Sequence, residues 1–367
     1  MVLTKKERFG MIVSMKKKWI HTAVACVLIL LINPGLAAAE KSAEASLGGA
    51  GKADLLIVVG AGGLEQYQEL FSEWTSMLRS VGAQAQANVT VVGPELPEGS
   101  TGDLKDQLQS TIESLSAETS EPLWIAMIGH GTFDGRTAKF NMAGPDVSSQ
   151  ELAEWLKPLK RPLAVMNTAS ASAPFLNALS GPNRVILTAT RDGFELNFAR
   201  FGSYLVKALG SSTADLDKDG QTSLLEAFIM ASRQVDEFYE VEGRLASEHA
   251  LLDDTGDQKG IAADWFKGVR PVKQPEGQSK PDGRIASQFH LLENTLEKQM
   301  SPEIKQRRDE LEQAIFELRD HRTDMDEAAY FERLEALLIP FAELYAELDQ
   351  ANESEDSSSP EDDLYFE

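Results

Sequence analysis

Cysteine is nearly missing: Cys26 is the only one in 367 residues, and it lies in an N-terminal segment that reads as removable. Without it the chain has no disulfide and no thiol nucleophile, in any compartment. His249, beside Glu248 and near Asp253, Asp254 and Asp257, has no second histidine or cysteine close by, which argues against zinc. Basic residues are in deficit as well, 35 Lys and Arg against 58 Asp and Glu. The first 39 residues hold six of those bases and one acid, so the remainder carries 29 bases, 57 acids and a net charge of −28. Such a body repels nucleic acid and anionic lipid, and it attracts cations. The apolar run at 19–32 is too short to span a bilayer. No repeat of fixed period is present.

What the sequence does contain begins with an export signal. Lys16-Lys17-Lys18 precede the apolar run, Pro34-Gly35 breaks it, and Ala37-Ala38-Ala39 before Glu40 supply small residues for cleavage. Residues 1–39 are therefore expected to be a signal peptide, with an uncleaved anchor as the alternative and Met15 as a second possible start. The protein is expected to be exported, to a periplasm or beyond, with no membrane attachment after cleavage. Cys26 as a lipoprotein cysteine fits less well, because Ala23-Val24-Ala25 lacks the expected leucine and the apolar run continues past it.

After a small-residue linker (40–53), apolar runs alternate with amphipathic ones. Strand patterns at 54–59, 89–92, 123–128, 163–167 and 185–189 alternate with helix patterns at 64–79, 103–115, 149–156, 175–179 and 198–209. Continuous apolar strands separated by helices predict an α/β fold, a mostly parallel sheet with helices on both faces, over 54–268. Residues 269–284, rich in Pro, Gly, Lys and Gln, read as a linker. Helix patterns at 285–300, 302–319 and 326–348, the last interrupted by Pro340, predict a helical hairpin or short coiled coil over 285–350. Residues 351–367 are acidic and Ser-rich, the composition of a disordered tail. A protein partner, or a second copy of the chain, is expected to use the stripe of Ile304, Leu311, Ile315 and Leu318 and its counterpart Leu334, Leu337, Phe341 and Leu348.

The segment 215–226, DLDKDGQTSLLE, fills twelve positions of an EF-hand calcium loop. Asp215, Asp217 and Asp219 supply carboxylates from alternate residues, Gly220 permits the sharp turn, and Gln221 offers its backbone carbonyl. Ser223 ligates directly or through water, and Glu226 closes the site. Four acids this close repel one another unless a divalent cation lies between them. Residues 224–239 make a good exiting helix, but Gly210-Ser211-Ser212 interrupts the entering one and no second loop pairs with it. Ca2+ is therefore expected to be structural rather than a switch. The acidic turn 253–257 lacks a closing glutamate and reads as a turn.

Two strand ends carry a further pattern. One runs Ile125-Ala126-Met127-Ile128-Gly129-His130-Gly131, the next Ala164-Val165-Met166-Asn167-Thr168-Ala169-Ser170-Ala171-Ser172-Ala173. An apolar strand ending in His-Gly, followed by one ending in Ala-Cys, resembles the dyad signature of the legumain and caspase clan of cysteine peptidases. The resemblance covers about 54–268 and implies an α/β domain with its dyad on adjacent strand ends, at His130 and, in place of the cysteine, Ser170. Serine is far less acidic than cysteine and needs a base oriented by a third group. No acid declares itself behind His130. A non-catalytic relative is therefore expected, with a Ser170–His130 hydrolase and a pure interaction module acting through the C-terminal helices as alternatives.

Weaker signals give less. Gly60-Ala61-Gly62-Gly63 has Glu65 where a dinucleotide loop needs its third glycine, so a tight turn is expected. His290 and His321 lie on helix patterns and read as surface residues. Asn88-Val89-Thr90 and Asn352-Glu353-Ser354 fit glycosylation sequons, a pattern that arises often by chance.

Overall fold

The computed structural model describes residues 52–94, 103–277 and 280–356. The expected signal peptide, most of the 40–53 linker and residues 357–367 lie outside them. Residues 50–309 form one compact unit, and residues 310 onward belong to another.

In chain order the first unit begins with β1 (Asp54–Val59), α1 (Glu65–Gln84), β2 (Asn88–Val92), α2 (Leu104–Ser114) and β3 (Leu123–Ile128). Three short strands come next, β4 (Gly131–Phe133), β5 (Ala138–Phe140) and β6 (Val147–Ser148), and then α3 (Ser149–Leu156). The unit continues with β7 (Leu163–Asn167), α4 (Ala173–Leu179), β8 (Arg184–Thr188), α5 (Phe201–Leu209), α6 (Leu224–Val241) and β9 (Leu251–Asp253). A small hairpin of β10 (Phe266–Lys267) and β11 (Arg270–Pro271) precedes α7 (Thr295–Gln299), α8 (Pro302–Asp320) and α9 (Glu327–Asp356).

The main sheet has the order β2-β1-β3-β7-β8-β9. Its first five strands are parallel and β9 is antiparallel. Side chains alternate across it as the pleat requires. Leu55, Ile57, Trp124 and Ala126 join one apolar cluster with Phe71, Trp74, Leu205 and Phe228 from α1, α5 and α6. Leu56, Val58, Ile125 and Met127 join the other, with Leu108, Leu152 and Phe175 from α2, α3 and α4. Strands covered on both faces have no polar face to show, which is why they read as unbroken apolar runs. The mixed α/β architecture with a mostly parallel sheet and C-terminal helices is the one expected.

Local chemistry fixes the helix starts. Ser148 caps α3 in a capping box with Glu151, and Asp103 accepts from the Asp106 N–H at the start of α2. Gly60 is required because a β-carbon there would overlap the carbonyl oxygen of Asn141. The chain turns one step later than expected, at Gly63 (φ 70°), where the Leu64 N–H donates to the Gly62 carbonyl oxygen at 2.8 Å.

The expected boundaries at 268 and 284 are not where this unit ends. Asp282 is fully buried, and Asp254 at the end of β9 accepts hydrogen bonds from Gly283, Ile285 and Ala286. Phe289 and Leu291 enter the first apolar cluster. Two buried carboxylates and two apolar side chains fasten residues 282–291 into the α/β unit, so the Pro- and Gly-rich stretch 269–284 leads back into the unit and not out of it. The single helix expected over 285–300 is instead a 3₁₀ turn (Ala286–Gln288), an extended segment and the short α7. His290 is partly buried, its pKa pushed down to about 4 by burial and by the Arg308 charge, and is not a surface residue. His321 is exposed, beside Asp324. In the C-terminal unit, Pro340 lies inside α9, which runs through Asp356 and so into the stretch expected to be tail. Leu311, Leu318, Tyr330 and Leu348 are buried, whereas Phe331, Leu338 and Ile339 are exposed. No helix among the described residues is long and apolar enough to cross a membrane.

Candidate functional site

The parallel strands bring their carboxyl ends to one edge of the sheet, where polar groups of such folds collect. His130 lies just after β3 there, and Ser170 just after β7, the neighbouring strand. The His130 ring is half-buried among aromatic rings. Tyr67 meets it edge-on at 4.8 Å, Phe71 at 5.2 Å and Phe198 at 5.8 Å between centroids. Burial lowers its pKa, opposed by a hydrogen bond with the Gly62 backbone. Among the described residues no carboxylate is its partner.

The Ser170 hydroxyl is buried and turned elsewhere. It accepts from the Gly131 N–H at 3.2 Å and donates to the Gly131 carbonyl oxygen at 3.2 Å. Its one proton is therefore directed at a carbonyl rather than at an imidazole, and no hydrogen bond joins it to His130 among the described residues. The next residue, Ala171, adopts a left-handed conformation with φ 53°, held by its N–H to the Glu195 carbonyl oxygen at 2.9 Å. Ser172 and Thr190 complete a buried hydroxyl network, 3.2 Å apart, that receives the Ala189, Thr190 and Ala173 N–H groups. These hydroxyls fasten the strand ends of β7 and β8 together.

A pair that sequence reasoning did not find lies on the same edge. Glu195 Oε1 is 2.5 Å from His249 Nδ1, and Glu195 Oε2 accepts from the backbone N–H of His249 and of Arg191. The acids near His249 in the sequence have other tasks. Glu248 accepts from the Arg200 and Phe201 N–H groups at the start of α5, and Asp253 accepts from Thr255 and Gly256 as a turn. The Asp253–Asp257 segment is thus built as a turn.

The EF-hand-like segment lies between α5 and α6. Asp215, Asp217 and Asp219 place carboxylate oxygens within 4.8 Å of one another, and among the described residues no other group of acids, histidines or cysteines does so. Nested backbone turns create this proximity. Asp215 accepts from the Lys218 and Gly220 N–H groups, Asp217 from Asp219, and Asp219 from Gln221. Lys218 (φ 68°) and Gly220 (φ 88°) take the left-handed conformation that winds the chain around the three acids. Burial, then the charges of Asp219 and Glu226, push the Asp217 pKa up to about 7. Burial also raises Asp219.

Glu226 is buried and closes the segment from its far end. One oxygen accepts from the Leu216 and Asp217 N–H groups, and the other from the Ser223 N–H and hydroxyl. Ser223 in turn caps α6. The donors on offer are all oxygens: three aspartates, the Gln221 carbonyl, Ser223 and Glu226. That is the set a hard cation such as Ca2+ prefers, and it contains nothing soft enough for zinc or copper. The residues fit the ion. For bidentate coordination Glu226 has to exchange the N–H groups it now accepts.

No family model matches the chain, and no curated protein matches it. Solved structures give low-level likenesses. The Drosophila initiator caspase Dronc is 14% identical over 58% of this chain and 83% of its own, with a TM-score of 0.37. Caspase-1 from Spodoptera frugiperda is 11% identical over 55% of this chain and 86% of its own, with a TM-score of 0.35. Both are caspases, but at these values the likeness carries no argument about this chain's chemistry.

Proposed function

We propose that the chain is an exported, calcium-stabilised binding or scaffolding protein with a peptidase-like strand edge that is not catalytic. The observation that carries this reading is the convergence of Asp215, Asp217 and Asp219 within 4.8 Å. Three carboxylates at that separation repel one another when ionised, and a divalent cation between them converts the repulsion into attraction. Once bound, Ca2+ supplies charge and fixed coordination to the segment joining α5 to α6. Those two helices pack on the same sheet face as Trp74 and Trp124, so stiffening their connection stabilises the whole unit.

The absence of catalysis is supported by Ser170, whose hydroxyl is closed on the backbone of Gly131. A nucleophile needs its proton within reach of a base, and a base needs an orienting acid. The rings around His130 supply no such acid. The alternative of an interaction module draws on the exposed Phe331, Leu338 and Ile339 of α9, a surface suited to a protein partner or a second copy. Isothermal titration of the full chain with CaCl2 tests the main reading. One ion per chain is expected, and no binding at millimolar calcium would remove it.

A further inference from the structure

The calcium segment does not stand alone in the fold. Residues 289–294 run alongside its second half. The Leu224 N–H donates to the Phe289 carbonyl oxygen at 2.8 Å, and Ser223 pairs with His290 as an isolated antiparallel bridge. The Asn294 N–H donates to Gln221 Oε1 at 3.1 Å, and Asn294 Nδ2 approaches the Asp219 carbonyl oxygen at 3.4 Å. These contacts fall on Asp219, Gln221, Ser223 and Leu224. Three of those four residues belong to the proposed ligand set.

The same stretch is fastened to α7 and α8. Phe289 is buried, with its ring edge-on to Trp124 at 5.6 Å between centroids. Asn294 caps α7 by accepting from the Glu297 N–H. Glu293 pairs with Lys305, and Glu297 pairs with Arg308 with both side chains almost wholly buried. Gln288 donates to the Asp309 carbonyl oxygen at 3.1 Å. A continuous run of contacts therefore leads from the calcium segment to the first two turns of α8.

We propose that calcium occupancy of the 215–226 segment controls the docking of residues 289–309, and that this docking in turn sets the calcium affinity. The proposal rests on the calcium reading above. Before the ion binds, repulsion among Asp215, Asp217 and Asp219 opposes the tight winding of the segment. An ion draws those carboxylates and the Gln221 carbonyl inward, fixing the Asp219 carbonyl, the Gln221 side chain and the Ser223 backbone. Those are the groups that residues 289–294 bind. Burial of Phe289 and Leu291 in the apolar cluster favours docking without calcium, so the ion-dependent part lies in the polar contacts. Linkage then demands reciprocity: whatever factor the ion adds to docking, docking adds to ion binding. The outcome is a segment, 289–309, whose order depends on calcium, a role that a single loop without a paired partner can fill.

Amide hydrogen exchange on the full chain, in CaCl2 and in EGTA, combined with calorimetric calcium titration, tests this. The expected result is slower exchange with calcium in both 216–224 and 289–300. Asn294→Ser keeps the helix cap but removes the amide donor to Asp219, and Phe289→Ala removes the buried ring. Each is expected to weaken calcium binding by about fivefold or more. Should Phe289→Ala fail to fold, Asn294→Ser, at a partly exposed position, carries the comparison. Calcium binding that slows exchange in 216–224 while leaving 289–300 unchanged, or wild-type affinity in Asn294→Ser, overturns this inference and leaves the calcium reading intact. No heat of binding and no change in 216–224 overturns the calcium reading itself.

Discussion

A β-carbon on Gly131 would overlap the carbonyl oxygen of Ser170. The ends of β3 and β7 thus touch backbone to backbone, which gives the glycine after His130 a steric reason independent of catalysis. Gly131→Ala is expected to cost about 1–3 kcal/mol, the range of overpacking at a buried position. Urea unfolding of the two proteins in calcium measures it. An unchanged midpoint would mean that these strand ends part easily.

Ser170 is expected to matter for stability and not for turnover. Ser170→Ala leaves the buried Gly131 N–H without its acceptor, at a cost of about 1–3 kcal/mol. A fluorophosphonate probe is expected to leave the wild type unlabelled, because the hydroxyl proton points at a carbonyl and not at His130. Labelling at Ser170 that is lost in His130→Ala would restore the hydrolase reading.

The legibility of these features depends on where their partners lie. The calcium segment shows in the sequence because all its oxygens come from twelve consecutive residues. The parallel sheet shows because strands covered on both faces are unbroken apolar runs. The pairing of Glu195 with His249 spans 54 positions, and no local spacing signals it. The three-stranded sheet of β4, β5 and β6 has strands of two or three residues, too short for any period to register. The clasp between Asp254 and residues 282–286 was hidden by composition. The prolines, glycines and lysines of 269–284 suggest a linker, yet a buried carboxylate accepting three backbone N–H groups fastens the end of that stretch as firmly as an apolar face does.

Calcium is expected to raise the melting temperature of the full chain. At a thousandfold excess over the dissociation constant, a ligand bound only by the folded form adds about 4 kcal/mol. For a unit of this size that corresponds to roughly 10 °C. Asp215→Asn and Glu226→Gln are expected to abolish the difference between CaCl2 and EGTA. Equal melts for the wild type in the two buffers would sink the idea.

The pH dependence without calcium has a definite sign above about pH 6.5. Burial pushes Asp217 up to about 7, and burial together with the Asp282 charge pushes Asp254 up to about 7. Both hold protons in the folded protein that the unfolded chain has already lost. Their contribution is complete below about pH 4 and disappears as pH rises through 7. His130 and His290, whose pKa values burial lowers, act in the opposite sense below about 6.5. Stability in EGTA is therefore expected to fall between about pH 6.5 and 8.5. Calcium competes with the proton at Asp217, so the stabilisation it adds is expected to grow over the same interval. A melting temperature that rises with pH in EGTA would contradict both statements.

Truncations distinguish the boundary expected from composition from the one the fold imposes. A chain ending at residue 284 loses Phe289, the acceptor for the Leu224 N–H and the edge-on partner of Trp124. It also loses the Ile285 and Ala286 N–H groups, leaving Asp254 fewer donors for a fully buried carboxyl. That protein is expected to be unfolded or to melt far lower. A chain ending at residue 309 retains all of these contacts and is expected to melt within a few degrees of the full chain. The same truncation bears on self-association, since it removes α9 with its exposed Phe331, Leu338 and Ile339. Those side chains recur at seven- and eight-residue spacing on one face of a long helix, the arrangement that a second helix covers. Light scattering coupled to size exclusion is expected to report an oligomer for the full chain and a monomer for the chain ending at 309, with Leu338→Glu shifting the full chain toward monomer. If the mass per particle is the same for all three, the helices do not pair copies of this chain, and their exposed face is left for a different protein.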